Sequence, residues 1–271
     1  MVLLGTIMEE KEDPGKTQLL AIYDTVAERY NRYLSNFDMV GAISDSPFLA
    51  ADQKEARDAL ISCYESRTKT FKTVRGRIFK NQPKAILTYC PYCLLNVPKT
   101  LDHYIGKRQF PEFSILCKNL IPSCWDCNKK KDEKWRLNGR RRIIHFYNDT
   151  FLAHRFLRAR LIYPANGNIP AIEYYLERPP EMTVAEFQLV EWHFEDLELL
   201  SKYNERANTT FSVEYENGRK ANEAQVPRAT IQTMLMNDYT GHAEKVCPNF
   251  YQAVMYETLA NDPTFLAALG P

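Results

Sequence analysis

Four of the seven cysteines form two C-x-x-C pairs, and these pairs are the clearest chemical signal in the chain. The pairs are Cys90-Pro-Tyr-Cys93 and Cys124-Trp-Asp-Cys127. Two intervening residues let both thiolates of a pair reach one ion at about 2.3 Å, so the two pairs together predict a tetrahedral, structural zinc site. The alternatives are less favoured, because a redox pair usually stands alone near a βαβ unit and a disulfide needs an oxidising compartment.

A closed site of four thiolates leaves no coordination position for water, so catalysis would have to come from other residues. We do not expect it from the other cysteines, which are predicted to be small buried residues. These are Cys63, Cys117 and Cys247. The residues that could carry catalysis lie between and just after the two pairs. They are Asp102, His103, Asn119 and Asn128, followed by the run Lys129-Lys130-Lys131.

The spacing of these residues predicts the elements that must position them. Residues 124, 127, 128 and 131 follow the i, i+3, i+4, i+7 pattern of one helix face. Ser123, with Asp126 three positions later, is the candidate cap of that helix. Asp102 and His103 lie in a short β-prone segment, LDHYI. Adjacent residues of a regular strand point to opposite faces, so these two can share a site only at a strand end or at a twist.

In order and approximate spacing, the segments CPYC, LDHYI, KNLIPSC and CWDCNKKK resemble the HNH, or ββα-metal, endonucleases that carry zinc knuckles. The resemblance covers about residues 87–134. It departs from the family pattern at Leu94 and Asp132, where glycine is common, and at the turn that begins with Gly106. It implies an α+β protein with a small ββα-metal nuclease core at residues 85–149. A helical region with a basic arm, 1–84, would precede this core, and a mixed, mainly helical region, 150–271, would follow it.

The resemblance also implies a role for each residue in the hydrolysis of a phosphodiester bond. His103 is the general base, and the ordinary histidine pKa near 6.5 suits that role at neutral pH. Asp102 and Asn128 are the oxygen ligands of a catalytic Mg²⁺ or Mn²⁺ ion. Asn119 braces the loop and orients His103. Lys129, Lys130 and Lys131 contact phosphate, with a solvated helix face as the alternative.

The formal net charge of +1 conceals a strong segregation of charge along the chain. Residues 1–65 carry −6, residues 66–160 carry +16, and residues 161–271 carry −9. A basic block of this density is typical of a protein that binds a polyanion, although a solvated basic face without a ligand has the same composition. Its basic arm, residues 66–82, has no acidic residue, and Arg75 and Arg77 are its candidate nucleic-acid contacts. The arm could be a helix or a strand that grips a phosphate backbone, or a basic helix that packs against the acidic ends.

Hydrophobic periodicity predicts helices over residues 17–37, 50–64, 183–203, 231–239 and 250–259. Residues 142–147 and 171–177 read as strands, with His145 as a half-buried histidine of the first. No stretch reaches the roughly 18 apolar residues of a membrane-spanning helix. The N-terminus has no secretion signal, so we expect a cytoplasmic protein.

The sequence therefore predicts a metal-dependent endonuclease that cuts DNA, with RNA as the other polyanion that would fit. The alternative is a non-catalytic, zinc-dependent nucleic-acid-binding module. The segregated charge also suggests an effector of a bacterial anti-phage or restriction system, which would meet a sensor or ATPase protein through its acidic ends. No P-loop or Rossmann glycine pattern is present, so any energy-dependent step would need such a partner.

Overall fold

The computed structural model describes residues 1–66, 68–165 and 170–268, which form two compact units, Met1–Asp149 and Thr150–Pro271. The fold is α+β: helices predominate, and the described strands form three short antiparallel pairs. The helices of the first unit are α1 (Val2–Glu9), α2 (Gly15–Ala21), α3 (Tyr23–Ser35), α4 (Lys54–Glu65), α5 (Lys69–Lys80), α6 (Lys84–Thr88) and α7 (Trp125–Lys131). Its strands are β1 (Thr100–His103), β2 (Leu120–Ser123), β3 (Arg136–Leu137) and β4 (Arg140–Arg141).

The centre of the first unit is the β1–β2 hairpin with α7 packed against β1. The register pairs Thr100 with Ser123 and His103 with Leu120. The chain between the two strands, residues 104–119, is mostly buried and includes a short 3-10 turn, Pro111–Phe113. This loop holds aromatic and aliphatic side chains against the hairpin, which explains why such a short sheet is stable.

The helix predicted over residues 17–37 is two helices, α2 and α3, which are separated at Ile22. The two segments bury their apolar faces against different neighbours. Helix α2 packs on α4, whereas α3 packs on the 3-10 turn Pro111–Phe113. A straight helix could not satisfy both contacts, so packing overrides the continuous sequence pattern.

The strand predicted over residues 142–147 is wrong. Strand β4 ends at Arg141, and His145 is completely buried in a turn instead of half-buried in a strand. The cause is Asp149, whose carboxylate accepts hydrogen bonds from the backbone N–H of His145 at 2.7 Å and from Arg141 at 2.9 and 3.0 Å. These side-chain hydrogen bonds fold the chain back on itself and replace a strand ladder.

The second unit combines one β-hairpin with a group of helices. Its elements are β5 (Leu157–Ile162), β6 (Ala171–Leu176), α8 (Val184–Leu197), α9 (Leu199–Glu223), α10 (Arg228–Lys245), α11 (Tyr251–Asn261) and α12 (Pro263–Ala268). Asn204 and Asn208 of α9 accept hydrogen bonds from backbone N–H groups of β6, which fixes α9 along that strand. The helix predicted over residues 183–203 is interrupted at Glu198, which has a φ of 54°. Among the described residues, no helix combines the length and apolar character needed to cross a bilayer.

Candidate functional site

The four cysteines of the two C-x-x-C pairs come together in a buried cluster. Their Sγ atoms all lie within 4.8 Å of one another, and the Sγ atoms of Cys93 and Cys124 are 3.9 Å apart. Four sulfur atoms at about 2.3 Å from one tetrahedral ion would be about 3.8 Å apart, so the cluster fits zinc. Backbone N–H groups of Leu95 and Cys127 approach the Sγ atoms of Cys93 and Cys124 at 3.5 and 3.4 Å, which is suitable for thiolate ligands. The structure therefore holds a four-cysteine site that can bind structural zinc.

Each half of the cluster has its own local backbone geometry. After Cys90 the chain turns tightly, and Leu94 adopts a φ of 52°, a conformation that glycine reaches without strain. Helix α7 is capped by Cys124, whose Sγ accepts from the N–H of Cys127. Ser123 is not the cap, because its side chain instead pairs with the Thr100 hydroxyl at 3.0 Å. The same residue therefore caps α7 and belongs to the cluster that can bind zinc.

The three cysteines outside the cluster differ in burial, although the sequence predicts that all three are buried. Cys63 is completely buried, Cys247 is half-buried, and Cys117 is exposed. The expectation of a buried residue is therefore wrong for Cys117, which lies in a short 3-10 turn, Cys117–Asn119, at the surface of the loop. None of the three lies in the four-cysteine cluster.

Beside the cluster, a cavity of about 410 Å³ brings together three of the predicted catalytic residues, Asp102, His103 and Asn128. Asp102 and His103 can line the same cavity because His103 is the last residue of β1, where strand alternation ends. Asn128 reaches it from the first turns of α7. The charged side chains around them are Glu65, Lys107, Arg108, Asp132 and Glu133.

His103 is held as a neutral ring with a defined tautomer. Its Nε2 lies 2.9 Å from the carbonyl oxygen of Ser114, and because a carbonyl only accepts, Nε2 carries the proton and Nδ1 keeps a lone pair. The ring is 9% exposed and packs edge-on against Tyr64, with ring centroids 4.4 Å apart. Burial lowers the pKa of His103 to about 3, against the opposing effect of the Ser114 hydrogen bond. The ring is therefore neutral at physiological pH, and it is a weaker base than the ordinary histidine pKa near 6.5 expected from the sequence.

Asn119 lies in the core behind the cavity and is completely buried. Its side-chain oxygen accepts from the N–H of Ile105 at 2.8 Å, and its side-chain nitrogen donates to the carbonyls of Ile105 and Phe113 at 3.0 and 3.1 Å. These bonds tie the two ends of the loop between β1 and β2. Phe113 directly precedes Ser114, so Asn119 acts on the position of the carbonyl that holds His103.

The Asp102 carboxylate is 2% exposed and has two partners. The Tyr92 hydroxyl donates to its Oδ2 at 2.8 Å, and the Lys131 ammonium lies 3.0 Å from Oδ2 and 3.3 Å from Oδ1. Burial raises the pKa of Asp102, and the Lys131 charge and the Tyr92 hydrogen bond act in the opposite direction. Asn128 donates from Nδ2 to the Thr100 hydroxyl at 3.0 Å, while its Oδ1 makes no hydrogen bond with the described part of the chain.

Lys131, which the sequence predicts to contact phosphate, is instead buried. Lys131 has 0% exposure, and its Nζ also donates to the carbonyls of His103 at 2.8 Å and Asp132 at 3.3 Å. The residue shares the inward helix face of Cys124, Cys127 and Asn128, so it points into the protein. Lys129 is exposed and Lys130 half-buried. Lys131 is thus an internal cation that joins α7 to β1.

Three partners of the predicted site residues were not identified from the sequence. Tyr92, inside the first C-x-x-C pair, holds Asp102; Ser114 holds His103 through its backbone; and Lys131 neutralises Asp102. A backbone carbonyl gives no sequence signal, and a tyrosine between two zinc ligands gives none about its partner. Only the position of Lys131 on the ligand face of α7 could have indicated its burial.

Arg75 and Arg77 lie on α5, so the basic arm is a helix. Arg75 is half-buried, with its guanidinium donating to the Lys99 carbonyl at 3.3 Å, whereas Arg77 is exposed. Lys99 immediately precedes β1. The arm is therefore attached beside the strand that carries Asp102 and His103.

Asp132, at the edge of the cavity, has a backbone conformation that favours glycine, with φ 44° and ψ −121°. Such a conformation costs about 1–3 kcal/mol for other residues. We expect Asp132→Gly to raise the free energy of unfolding by about 1–2 kcal/mol, measured by urea denaturation. The variant also loses the ion pair between Asp132 and Arg108. Relief of the backbone strain should stabilise the protein by more than this loss destabilises it, because both side chains are more than half exposed and exposed ion pairs contribute little.

Asp132→Ala is the matched control, since it removes the same ion pair but keeps the Cβ atom. It should be no more stable than the wild-type protein. If Asp132→Ala and Asp132→Gly raised the free energy of unfolding equally, the backbone at this position would not be strained.

The fold and the site together define an α+β protein in which a cysteine cluster that can bind zinc adjoins a cavity lined by a histidine, an aspartate and an asparagine. No family model matches the chain, and no solved structure matches it. The chain is similar to Protein ea31 of Escherichia phage lambda, with 27% identity over 192 residues. The similar region covers 66% of this chain and 64% of the phage protein, so it spans less than two thirds of that protein.

Proposed function

We propose that this protein is a metal-dependent endonuclease of the HNH type that hydrolyses phosphodiester bonds of DNA. The observation that carries the proposal is the neutral His103, which lines one cavity with Asp102 and Asn128. The arrangement of β1, β2 and α7 around the cysteine cluster supports the resemblance to the ββα-metal core. A module that only bound nucleic acid would need neither the oriented histidine nor the oxygen donors beside it.

His103 is the general base of the proposed reaction. Hydrolysis requires a group that removes a proton from the attacking water, and an imidazole with a free Nδ1 lone pair can do so. The hydrogen bond from Nε2 to Ser114 fixes the ring orientation and stabilises the positive charge that forms when Nδ1 takes the proton. Asn119 keeps the Ser114 loop in place. These contacts position the base before substrate arrives.

Asp102 and Asn128 would hold a divalent ion, Mg²⁺ or Mn²⁺. Both offer hard oxygen atoms, which these ions prefer. The donor set fits, because Tyr92 and Lys131 make their shortest contacts with Oδ2 of Asp102, and Oδ1 is the less engaged oxygen. When bound, such an ion would stabilise the negative charge that develops on the phosphate and the leaving oxygen.

The proposal is tested by incubating the purified protein with supercoiled plasmid, single-stranded DNA and RNA, in Mg²⁺, Mn²⁺ or EDTA. We expect cleavage of DNA with either ion and none in EDTA. Asn128→Ala should reduce cleavage strongly, whereas Asn148→Ala, the same change at a half-buried residue outside the cavity, should not. Equal cleavage in EDTA, or no cleavage of any substrate with any ion, would contradict the proposal.

One observation favours the second candidate, a non-catalytic nucleic-acid-binding module. The Lys131 ammonium already neutralises Asp102, and that carboxylate is one of only two proposed ligands of the catalytic ion. If the protein is such a binding module, it should bind DNA equally well with and without Mg²⁺ and should cut no DNA. The wider role as an effector with a sensor or ATPase partner stays a prediction.

A further inference from the structure

Helix α5 has a cationic face that the structure leaves unpaired. The helix contains five lysine and arginine residues and no acidic residue. Four of these cations are exposed, and none forms an ion pair with any residue the structure describes. The four are Lys69, Lys72, Arg77 and Lys80. The nearby acidic side chain of Glu10 binds the backbone and hydroxyl of Thr70 at the start of the helix, so it does not cover the rest of the face.

Lys72, Gly76 and Lys80 lie at i, i+4 and i+8, which places them on one ridge of the helix. The ridge is about 12 Å long, since the helix rises about 1.5 Å per residue. A Cβ atom added at Gly76 would meet nothing within 4 Å, so packing does not require this glycine. A glycine inside a helix costs about 1 kcal/mol relative to alanine. Its presence between two exposed lysines leaves room for another backbone to approach.

The opposite face of α5 is packed into the site region. Phe71 is 3% exposed, and its ring lies 5.0 Å from that of Tyr64, whose ring in turn contacts His103 at 4.4 Å. One turn further along the same side of α5, Arg75 donates to the carbonyl of Lys99, next to the first residue of β1. Helix α5 is therefore fixed against the segments that carry the site, with the cationic ridge on its outer face.

We propose that the ridge of α5 docks the phosphate backbone of duplex DNA next to the cavity, a proposal that rests on the proposed function and names its substrate form. Exposed cations on a rigid helix complement the negative charge of a duplex, which carries one phosphate per about 3.4 Å of each strand. Proteins that hold single strands also stack bases on exposed aromatic rings. The exposed residues of α5 include no aromatic ring, because Phe71 is buried and Phe79 half-buried.

The test compares binding of a labelled DNA duplex by the wild-type chain and by Lys72→Gln/Lys80→Gln, in EDTA so that cleavage does not interfere. Fluorescence anisotropy is followed from about 50 to 200 mM salt, where each phosphate contact contributes about 0.9 to the slope of log K against log salt. We expect the double variant to bind at least tenfold more weakly at low salt, with the magnitude of the slope reduced by about 2. Lys16→Gln/Lys54→Gln, which removes the same charge from α2 and α4, is the matched control and should bind like the wild type.

Gly76 supplies an independent variant that should fold. Gly76→Glu places a negative charge on the ridge and should weaken duplex binding, whereas Gly76→Ala should raise stability and affect binding far less. Binding of the double lysine variant equal to that of the control would overturn the proposal. An equal or larger loss of affinity for single-stranded DNA or RNA than for duplex DNA would also overturn it.

The outcomes also separate this proposal from the proposed function. Ridge-dependent duplex binding without cleavage would support docking and contradict the nuclease. Cleavage that survives in the double lysine variant with wild-type duplex affinity would support the nuclease and contradict docking.

Discussion

His103→Ala is expected to reduce DNA cleavage by about 10²- to 10⁴-fold, the usual contribution of a general base. The variant loses the only group in the cavity that is held neutral with a free nitrogen lone pair among the residues the structure describes. The measurement is the initial rate of plasmid nicking in Mg²⁺. Binding of a DNA duplex should change little, because His103 is buried and contributes no charge at neutral pH.

His154→Ala is the matched control, since it makes the same change in the second unit. It should cleave at the wild-type rate. His103→Ala leaves a small space beside Tyr64, so its fold must be checked by circular dichroism and by its zinc content. A folded, zinc-loaded His103→Ala protein that cuts as fast as the wild type would remove His103 from the mechanism.

Cys124→Ser is expected to abolish zinc binding and to unfold the first unit. The change removes one of the four thiolates of the cluster, whereas a serine hydroxyl can still cap α7. Helix α7 carries Asn128 and Lys131, and the Lys131 ammonium joins it to β1. Structural zinc contributes about 10–16 kcal/mol in zinc-finger peptides, comparable with the whole stability of a typical domain, about 5–15 kcal/mol. The measurements are metal content, where the wild type should hold one zinc per chain, and urea denaturation.

Cys117→Ser is the matched control, because it makes the same atomic change at an exposed cysteine outside the cluster. It should retain zinc and wild-type stability. Full zinc content together with wild-type unfolding in Cys124→Ser would show that the cluster is not a structural metal site.

These two predictions distinguish the two metals of the proposed mechanism. A brief EDTA treatment should stop cleavage reversibly, because an ion bound by Asp102 and Asn128, as proposed, would have few protein ligands and would exchange readily. Removal of zinc should stop cleavage together with the loss of the fold, because the four thiolates hold α7 in place. Addition of Mg²⁺ should therefore restore activity after the first treatment and not after the second.

Local sequence patterns predict some helices of this fold correctly, whereas the ends of others depend on tertiary packing. The 3.6-residue spacing of positions 124, 127, 128 and 131 correctly predicts α7, because a single helix face repeats regardless of its surroundings. The continuous apolar pattern of residues 17–37 does not reveal the break at Ile22. That break depends on two different partners, α4 and the turn Pro111–Phe113, which are distant in sequence.

The sequence by itself identified the four cysteines of the cluster that can bind zinc, since the C-x-x-C spacing limits how far apart the two thiolates of each pair can lie. It also determined the types of residue available for chemistry. Only the tertiary structure decided their states: that β1 ends at His103 so that Asp102 can face the same cavity, that Ser114 fixes the imidazole tautomer, and that Lys131 is an internal counter-ion. Burial and hydrogen-bond partners set these states, and both arise from residues that meet only when the chain has folded.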